Sequence, residues 1–66
     1  MWKKIEAIMK KKGITEAEIK EQLSNGEIST FNAIKYGTIK NPTWQFVSHL
    51  ANLLDVSTDA IRPDDY

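Results

Sequence analysis

Start and stop signals for α-helices recur at short intervals along the 66-residue chain and limit it to several short helices. Gly13 and Gly37 suit the left-handed backbone conformation that commonly ends a helix. Thr15 and Thr43 are good N-cap residues, and Pro63 prevents a last short helix from continuing. No alternating apolar pattern of useful length predicts a strand. The sequence therefore predicts an all-α fold, a compact bundle of four to five helices.

The spacing of apolar residues places the individual helices between these signals. Predicted helices cover residues 2–12, 15–23, 28–36 and 43–54, with a short fifth helix at 59–61. Glu18 lies three residues after Thr15, so the two side chains can form a capping box at the start of helix 2. Residues 24–26, Ser-Asn-Gly, are interpreted as a turn between helices 2 and 3. Asp55 stands where a glycine would usually end helix 4.

Apolar residues also predict which sides of helices 3 and 4 are buried. On helix 3, Ile28, Phe31 and Ile34 recur at steps of three and should point inward. The inner side of helix 4 should consist of Trp44, Val47, Leu50, Ala51 and Leu54.

Some large apolar residues lie outside these stripes and allow two interpretations. Trp2, Phe46 and Leu53 either close a small core or form a patch for homodimerisation, to which the C-terminal segment can contribute.

Composition excludes several classes of protein. A chain of this size is a single domain, and without cysteine it has neither disulfides nor thiolate metal ligands. His49 is the only histidine, so no metal site is expected. Because the sequence lacks a phosphate-binding loop and a nucleophile–base constellation, we expect no catalysis, no cofactor and no small-molecule substrate.

No apolar run approaches the roughly 20 residues of a membrane span, which predicts a soluble, cytoplasmic protein.

Acidic and basic residues are segregated along the chain, although the formal net charge is zero. Residues 1–12 contain five lysines and one glutamate, whereas residues 13–27 contain four glutamates and one lysine. A dipolar molecule of this kind can still present one basic face to phosphate. The helix 2 glutamates, Glu16, Glu18 and Glu21, either complement the helix dipole or form a face for a basic protein partner.

Four stretches of the sequence follow one another in the order found in a known family. They are Thr15–Ile19, Ser29–Ile34, Gly37–Thr43 and Leu50–Ser57. Together they resemble the lambda-repressor-like, Cro-type (XRE family) helix-turn-helix domains of small phage and bacterial repressors. The resemblance implies a helix-turn-helix unit at about residues 15–37, with helix 2 across the DNA backbone and helix 3 in the major groove. It also implies a sequence-specific DNA-binding transcriptional regulator whose partner is double-stranded DNA.

The outward residues of helix 3 are the candidates for base contacts under this resemblance. They are Ser29, Thr30, Asn32, Ala33 and Tyr36. Asn32 can pair with adenine through two hydrogen bonds, whereas Ala33 can contact only a thymine methyl group. The alternative is that these residues form only a helix cap and a solvated surface.

Phosphate contacts are expected from the residues that flank helix 3 and from one helix end. The candidates are Lys35, Lys40, Asn41, Thr43 and Lys12. Lys40, Asn41 and Thr43 lie where a loop and a helix N-terminus can hold phosphate. The alternative is that these three are turn and cap residues, and that Lys12 belongs to a solvated helix end.

Three features depart from the family pattern and favour an alternative function. Glu16 occupies the position at which the family often has a glutamine that touches backbone phosphate, and a glutamate repels phosphate. The turn after Leu23 is expected to be one residue longer than usual, and helix 3 has no arginine. The alternative is a protein-interaction module, an antirepressor or adaptor, on the same scaffold with weak or no DNA binding.

Overall fold

Helices joined by short connections make up the computed structural model, which describes residues 1–39 and 41–62. The elements are α1 (Trp2–Lys12), α2 (Glu16–Glu21), α3 (Asn25–Lys35), α4 (Trp44–Leu54) and a single 3-10 turn (Thr58–Ala60). The described residues contain no β-strand and pack into a body of 27 × 24 × 20 Å. The predicted all-α class and compact helical bundle are therefore confirmed. None of the helices in this part of the chain is long and apolar enough to cross a membrane.

The predicted stop signals end α1 and α4. Gly13 adopts a φ of 70° at the end of α1, and Asp55 adopts a φ of 57° at the end of α4. Asp55 thus takes the left-handed conformation for which glycine is the usual choice. At the other end of α4, the Thr43 hydroxyl accepts the Phe46 N–H at 3.3 Å, which confirms the predicted N-cap.

The connection between α2 and α3 differs from the prediction. α2 ends at Glu21, two residues earlier than predicted, and α3 begins at Asn25, three residues earlier than predicted. Only residues 22–24 separate the two helices. The turn predicted at residues 24–26 is therefore wrong, as is the expectation of a longer turn than usual.

The early start of α3 arises because Ser24 acts as an N-cap. Its hydroxyl accepts the Glu27 N–H at 3.3 Å, and a Glu27 carboxylate oxygen accepts the Ser24 N–H at 3.1 Å. This reciprocal capping box supplies partners for N–H groups that the start of a helix otherwise leaves unpaired. Gly26 lies within this first turn, and its φ is not positive, as expected for a residue of a right-handed helix. At α2 the Thr15 hydroxyl accepts the Glu18 N–H at 3.2 Å, which confirms the predicted N-cap. The Glu18 carboxylate accepts from the Thr15 hydroxyl and not from its backbone N–H, so the predicted capping box is only half formed.

A single apolar core joins the helices. Its buried residues are Ile5, Met9, Ile19, Leu23, Phe31, Ile34, Phe46, Val47, Leu50, Ala51, Leu54 and Ile61. The rings of Trp2 and Phe31 pack edge to face, with centroids 5.4 Å apart and an interplanar angle of 80°. Burial of apolar surface is the main source of stability available to so short a chain without disulfides.

α4 buries a slightly different side from the predicted one. Phe46 is only 5% exposed and belongs to the core, whereas Trp44 is 48% exposed. The buried positions 46, 47, 50, 51 and 54 form one helical face, and position 44 lies outside it. The prediction that Trp44 faces inward is therefore wrong. Because Phe46 closes the core, it offers little surface for a dimer.

α1 is tied to the C-terminal part of the described chain by two lysines. Lys12 Nζ donates to the Asp55 carbonyl at 2.9 Å, and Lys4 Nζ donates to the Arg62 carbonyl at 3.0 Å. Between these two contacts, Ile61 is fully buried in the core. The first helix and the last described residues are therefore packed together.

Candidate nucleic-acid interface

α3 presents polar side chains along the side that faces away from the core. Asn25, Ser29 and Tyr36 are exposed and Asn32 is half-buried, and we call these four residues the outer stripe. They are spaced by four, three and four residues, so they share one helical face. Ala33 is half-buried beside this stripe.

The inner side of α3 is sealed against the rest of the molecule. Phe31 is fully buried, Ile34 is 4% exposed, and the half-buried Ile28 packs against the core. The predicted facing of this helix is therefore confirmed, with the aromatic side enclosed and the polar side outward. The facing of α3 makes its polar side chains accessible to a partner, which is a requirement for base contact and is distinct from base contact itself.

Thr30 differs from the other candidate base-contacting residues. Its hydroxyl donates to the carbonyl of Gly26, one turn earlier, at 3.1 Å, and the side chain is half-buried. Threonine commonly uses its hydroxyl in this way within helices. The Thr30 donor is therefore committed to its own helix, which leaves only its acceptor capacity and its methyl group for a partner.

Asn25 and Gly26 were missed as interface candidates, because the Ser-Asn-Gly sequence was assigned to a turn. In the structure both residues are exposed and form the first turn of α3. The signal that finds them is the Ser-x-x-Glu pattern of Ser24 and Glu27, which is a capping-box signature. It has the same form as the Thr15–Glu18 pattern that was recognised for helix 2.

Glu27 is the only acidic residue of α3, and both of its carboxylate oxygens have partners within the protein. One oxygen binds the Ser24 N–H, and the other lies 2.5 Å from His49 Nδ1 on α4. The hydrogen bond with His49 and then that with the Ser24 N–H hold the pKa of Glu27 below its usual value. The pair therefore anchors the start of α3 to α4 and holds the Glu27 carboxylate beside α4.

Lys35, a predicted phosphate contact, is paired with the glutamate that departs from the family pattern. Its Nζ lies 2.9 and 3.0 Å from the two carboxylate oxygens of Glu16, and 5.7 Å from the centre of the Tyr36 ring. The hydrogen bond with Glu16 raises the pKa of Lys35. Glu16 also lies 3.9 Å from Lys20. The Lys35 charge is thus largely compensated within the protein.

The other predicted phosphate contacts do not form one cluster. Thr43 caps the N-terminal end of α4 and Asn41 is exposed just before it, while Lys12 binds the Asp55 carbonyl at the C-terminal end of α4. Because an 11-residue helix is about 16 Å long, Lys12 is well separated from the other two. Lys40 lies outside the described residues.

A groove lies between α2 and α4, away from the outer stripe. It has a volume of about 510 Å³ and is lined by Ile14, Glu18, Ile19, Glu21, Gln22, Asn52 and Leu53. Its lining is apolar at Ile19 and Leu53 and acidic at two exposed glutamates. Leu53 and Trp2, two of the predicted dimer contacts, are half-buried, and the C-terminal segment beyond residue 62 lies outside the described residues.

Within residues 1–39 and 41–62, no group of three or more histidine, cysteine, aspartate or glutamate side chains could hold a metal ion. Comparison of the chain with protein-family models, curated proteins and solved structures found no match.

Proposed function

We propose that this chain is a sequence-specific DNA-binding transcriptional regulator of the repressor type. In this proposal α2 and α3 act as a helix-turn-helix unit of the Cro type, with α2 across the backbone and α3 in the major groove. The observation that carries the proposal is the outer stripe, a polar helix face without an exposed acidic side chain. The three-residue connection between α2 and α3 is compatible with a bihelical unit.

The chemistry of the outer stripe favours sites that contain A·T pairs. Asn32 suits the N6 and N7 positions of adenine, Ser29 can meet several bases, and Ala33 suits a thymine methyl group. Because helix N-terminal residues reach base edges in this docking mode, the exposed side of α3 is the surface we assign to base contact. Arginine, the residue that commonly reads guanine, does not occur in α3.

Discrimination by one short helix is weak, so we propose that two copies bind two half-sites. In helix-turn-helix dimers the half-sites are about 34 Å apart. Leu53, Trp2 and the C-terminal segment are the proposed contacts, since Phe46 is buried. Sedimentation with and without a selected duplex tests this, with a one-to-one complex as the contrary result.

Selection from a pool of random duplexes at low salt tests the main proposal. We expect enrichment of a defined sequence and a steep loss of affinity as salt rises, with a slope of about −0.9 per phosphate contacted. Asn32→Ala should relax the preference at one base pair, whereas Lys40→Ala should lower affinity equally for all sequences. Asn52→Ala, on the groove side of α4, is the control. Failure to enrich any sequence would contradict direct readout.

Glu16 gives a second test, because it repels phosphate and also holds Lys35. Glu16→Gln should raise DNA affinity at low salt and steepen the salt slope by about 0.9 if Lys35 then reaches a phosphate. The matched control is Glu21→Gln, which removes an exposed glutamate from the same helix. Equal effects of the two substitutions would mean that only net charge matters and that Lys35 does not contact phosphate.

A second candidate function is favoured by the groove between α2 and α4. We propose that, if the chain is a protein-interaction module, the groove binds a basic amphipathic helix of a partner protein. Its apolar side chains would lie against Ile19 and Leu53, and its lysines or arginines would face Glu18 and Glu21. A second copy of this chain is a poorer occupant, because α1 buries its apolar side in the core and exposes mainly lysines.

A labelled amphipathic model peptide of leucine and lysine, with its leucine–glutamate counterpart, tests this candidate. In ¹⁵N spectra of the protein, the leucine–lysine peptide should shift the amide signals of the groove residues, whereas the leucine–glutamate peptide should not. The Glu18→Gln/Glu21→Gln double variant should weaken binding several-fold, whereas Glu6→Gln on α1 should not. Binding that is equal for both peptides, or equally weakened by Glu6→Gln, would exclude the groove as the site.

A further inference from the structure

Gly26 occupies a helical position for which nothing within the protein requires a glycine. Its φ is not positive, so the backbone conformation suits any residue. Apart from Gly26 itself, its two neighbours and the backbone of its own helix, no heavy atom of residues 1–39 and 41–62 lies within 4 Å of the position that a Cβ would occupy, so packing does not require a glycine either. Glycine is less favourable than alanine within a helix. Glycine at position 26 therefore makes the fold less stable than alanine would, with no compensating contact within the described part of the protein.

Asn25 precedes Gly26 and belongs to the outer stripe. It is exposed, and the Ser24–Glu27 capping box and the Glu27–His49 bond hold the turn that carries it. Asn25 and Asn32 are seven residues apart, which separates them by about 10 Å along the helix axis. Successive base pairs are 3.4 Å apart along the duplex axis, and a helix in the major groove is inclined to that axis, so this separation spans at most about three base-pair steps.

We propose that Asn25 is a second residue that contacts a base. We further propose that position 26 is a glycine, without a side chain, so that DNA can approach the backbone there closely. This inference rests on the proposed function and deepens it. Asn25 and Asn32 would each pair with an adenine, because asparagine is suited to that base. The half-site would then contain two separate adenine-specified positions at most about three base pairs apart, one for each asparagine. A methyl group at position 26 would hold the duplex away from Asn25.

Binding measurements with single-base variants of the selected duplex test the inference. Asn25→Ala should lower affinity for the selected duplex about tenfold and remove the preference at one base pair. Asn32→Ala should remove it at a different pair, at most about three steps away. Asn52→Ala serves as the control and should change neither.

Gly26→Ala separates the effect on DNA from the effect on the fold. It should raise the melting temperature, because alanine favours the helix, and yet lower DNA affinity by at least a few-fold. Gly26→Ser provides an independent check with a slightly larger side chain. A purely structural role for the glycine would change stability and leave affinity unchanged.

The outcomes distinguish this inference from the function on which it rests. If the wild-type protein enriches a sequence but Asn25→Ala retains the full preference and Gly26→Ala retains full affinity, the inference is wrong and the proposed function stands. If the wild-type protein enriches no sequence, both are overturned. Loss of preference at the same base pair in Asn25→Ala and Asn32→Ala would also contradict two separate reading positions.

Discussion

The two sides of α3 differ in what fixes their residues. On the inner side, Phe31 is fully buried against Trp2, and Glu27 is bound to His49. On the outer side, Asn25 and Ser29 are exposed. Side-chain substitutions on the inner side should therefore change mainly stability, whereas those on the outer side should change mainly the binding of a partner.

Phe31→Ala should have the largest effect on stability. Removal of a fully buried aromatic ring leaves a cavity and is expected to cost about 3–5 kcal/mol of unfolding free energy. Tyr36→Ala removes an aromatic ring from the outer side, where 75% of the residue is exposed, and should change stability by about 0.5 kcal/mol or less. Urea denaturation followed by circular dichroism measures both. Similar losses from the two substitutions would remove the distinction between the sides.

Ser24→Ala should have the next largest effect, a loss of about 1 kcal/mol, because the capping box at the start of α3 would be broken. Thr15→Ala at the start of α2 is the matched substitution. We expect it to cost less, because the Ser24 box is completed by Glu27, which is also anchored to α4. Urea denaturation midpoints compare the two. A larger loss from Thr15→Ala would show that the anchored start of α3 contributes no additional stability.

The Glu27 carboxylate predicts a dependence of stability on pH. Since the folded protein lowers the pKa of Glu27 below the usual 4.5, the ionised carboxylate stabilises the fold. This contribution is fully present above the unfolded-state pKa and is lost as pH falls through the folded-state value. Melting temperatures of the wild type and Glu27→Gln should therefore converge below about pH 4.5. A difference that stays constant down to pH 2 would exclude Glu27 as the cause.

Asn32→Ala should have the smallest effect on the fold, within about 0.5 kcal/mol, because its side chain lies on the outer side. Thermal denaturation measures this directly. A loss above about 1 kcal/mol would mean that Asn32 has a structural role, and any change in DNA binding would then need a different explanation.

Local sequence signals predicted the helix class, the extent of α1 and the stops at Gly13, Gly37 and Asp55, all three of which have a positive φ. The start of α3 was missed because Ser-Asn-Gly has the composition of a turn, and the glutamate three residues after Ser24 decides between the two. Helical periodicity alone did not settle the rotation of α4, which is why Trp44 was wrongly placed in the core and Phe46 was left between core and surface.

The charge pairs of the candidate site had no signal in the sequence. Glu16 and Lys35 are 19 residues apart, and Glu27 and His49 are 22 residues apart. Such pairs depend on how the helices pack, and helical periodicity carries no information about that. The outward facing of α3 was predictable, whereas the compensation of Lys35 was not.

The burial of Ile61 has a consequence for synthesis of the protein in the cell. Because this side chain belongs to the same core as Ile5, the hydrophobic interior is incomplete until residue 61 has left the ribosomal exit tunnel. Until then the nascent chain exposes its apolar side chains to solvent and to chaperones. Ribosome-bound chains that end shortly before Ile61 should therefore remain sensitive to protease, and chains in which it has emerged should become resistant.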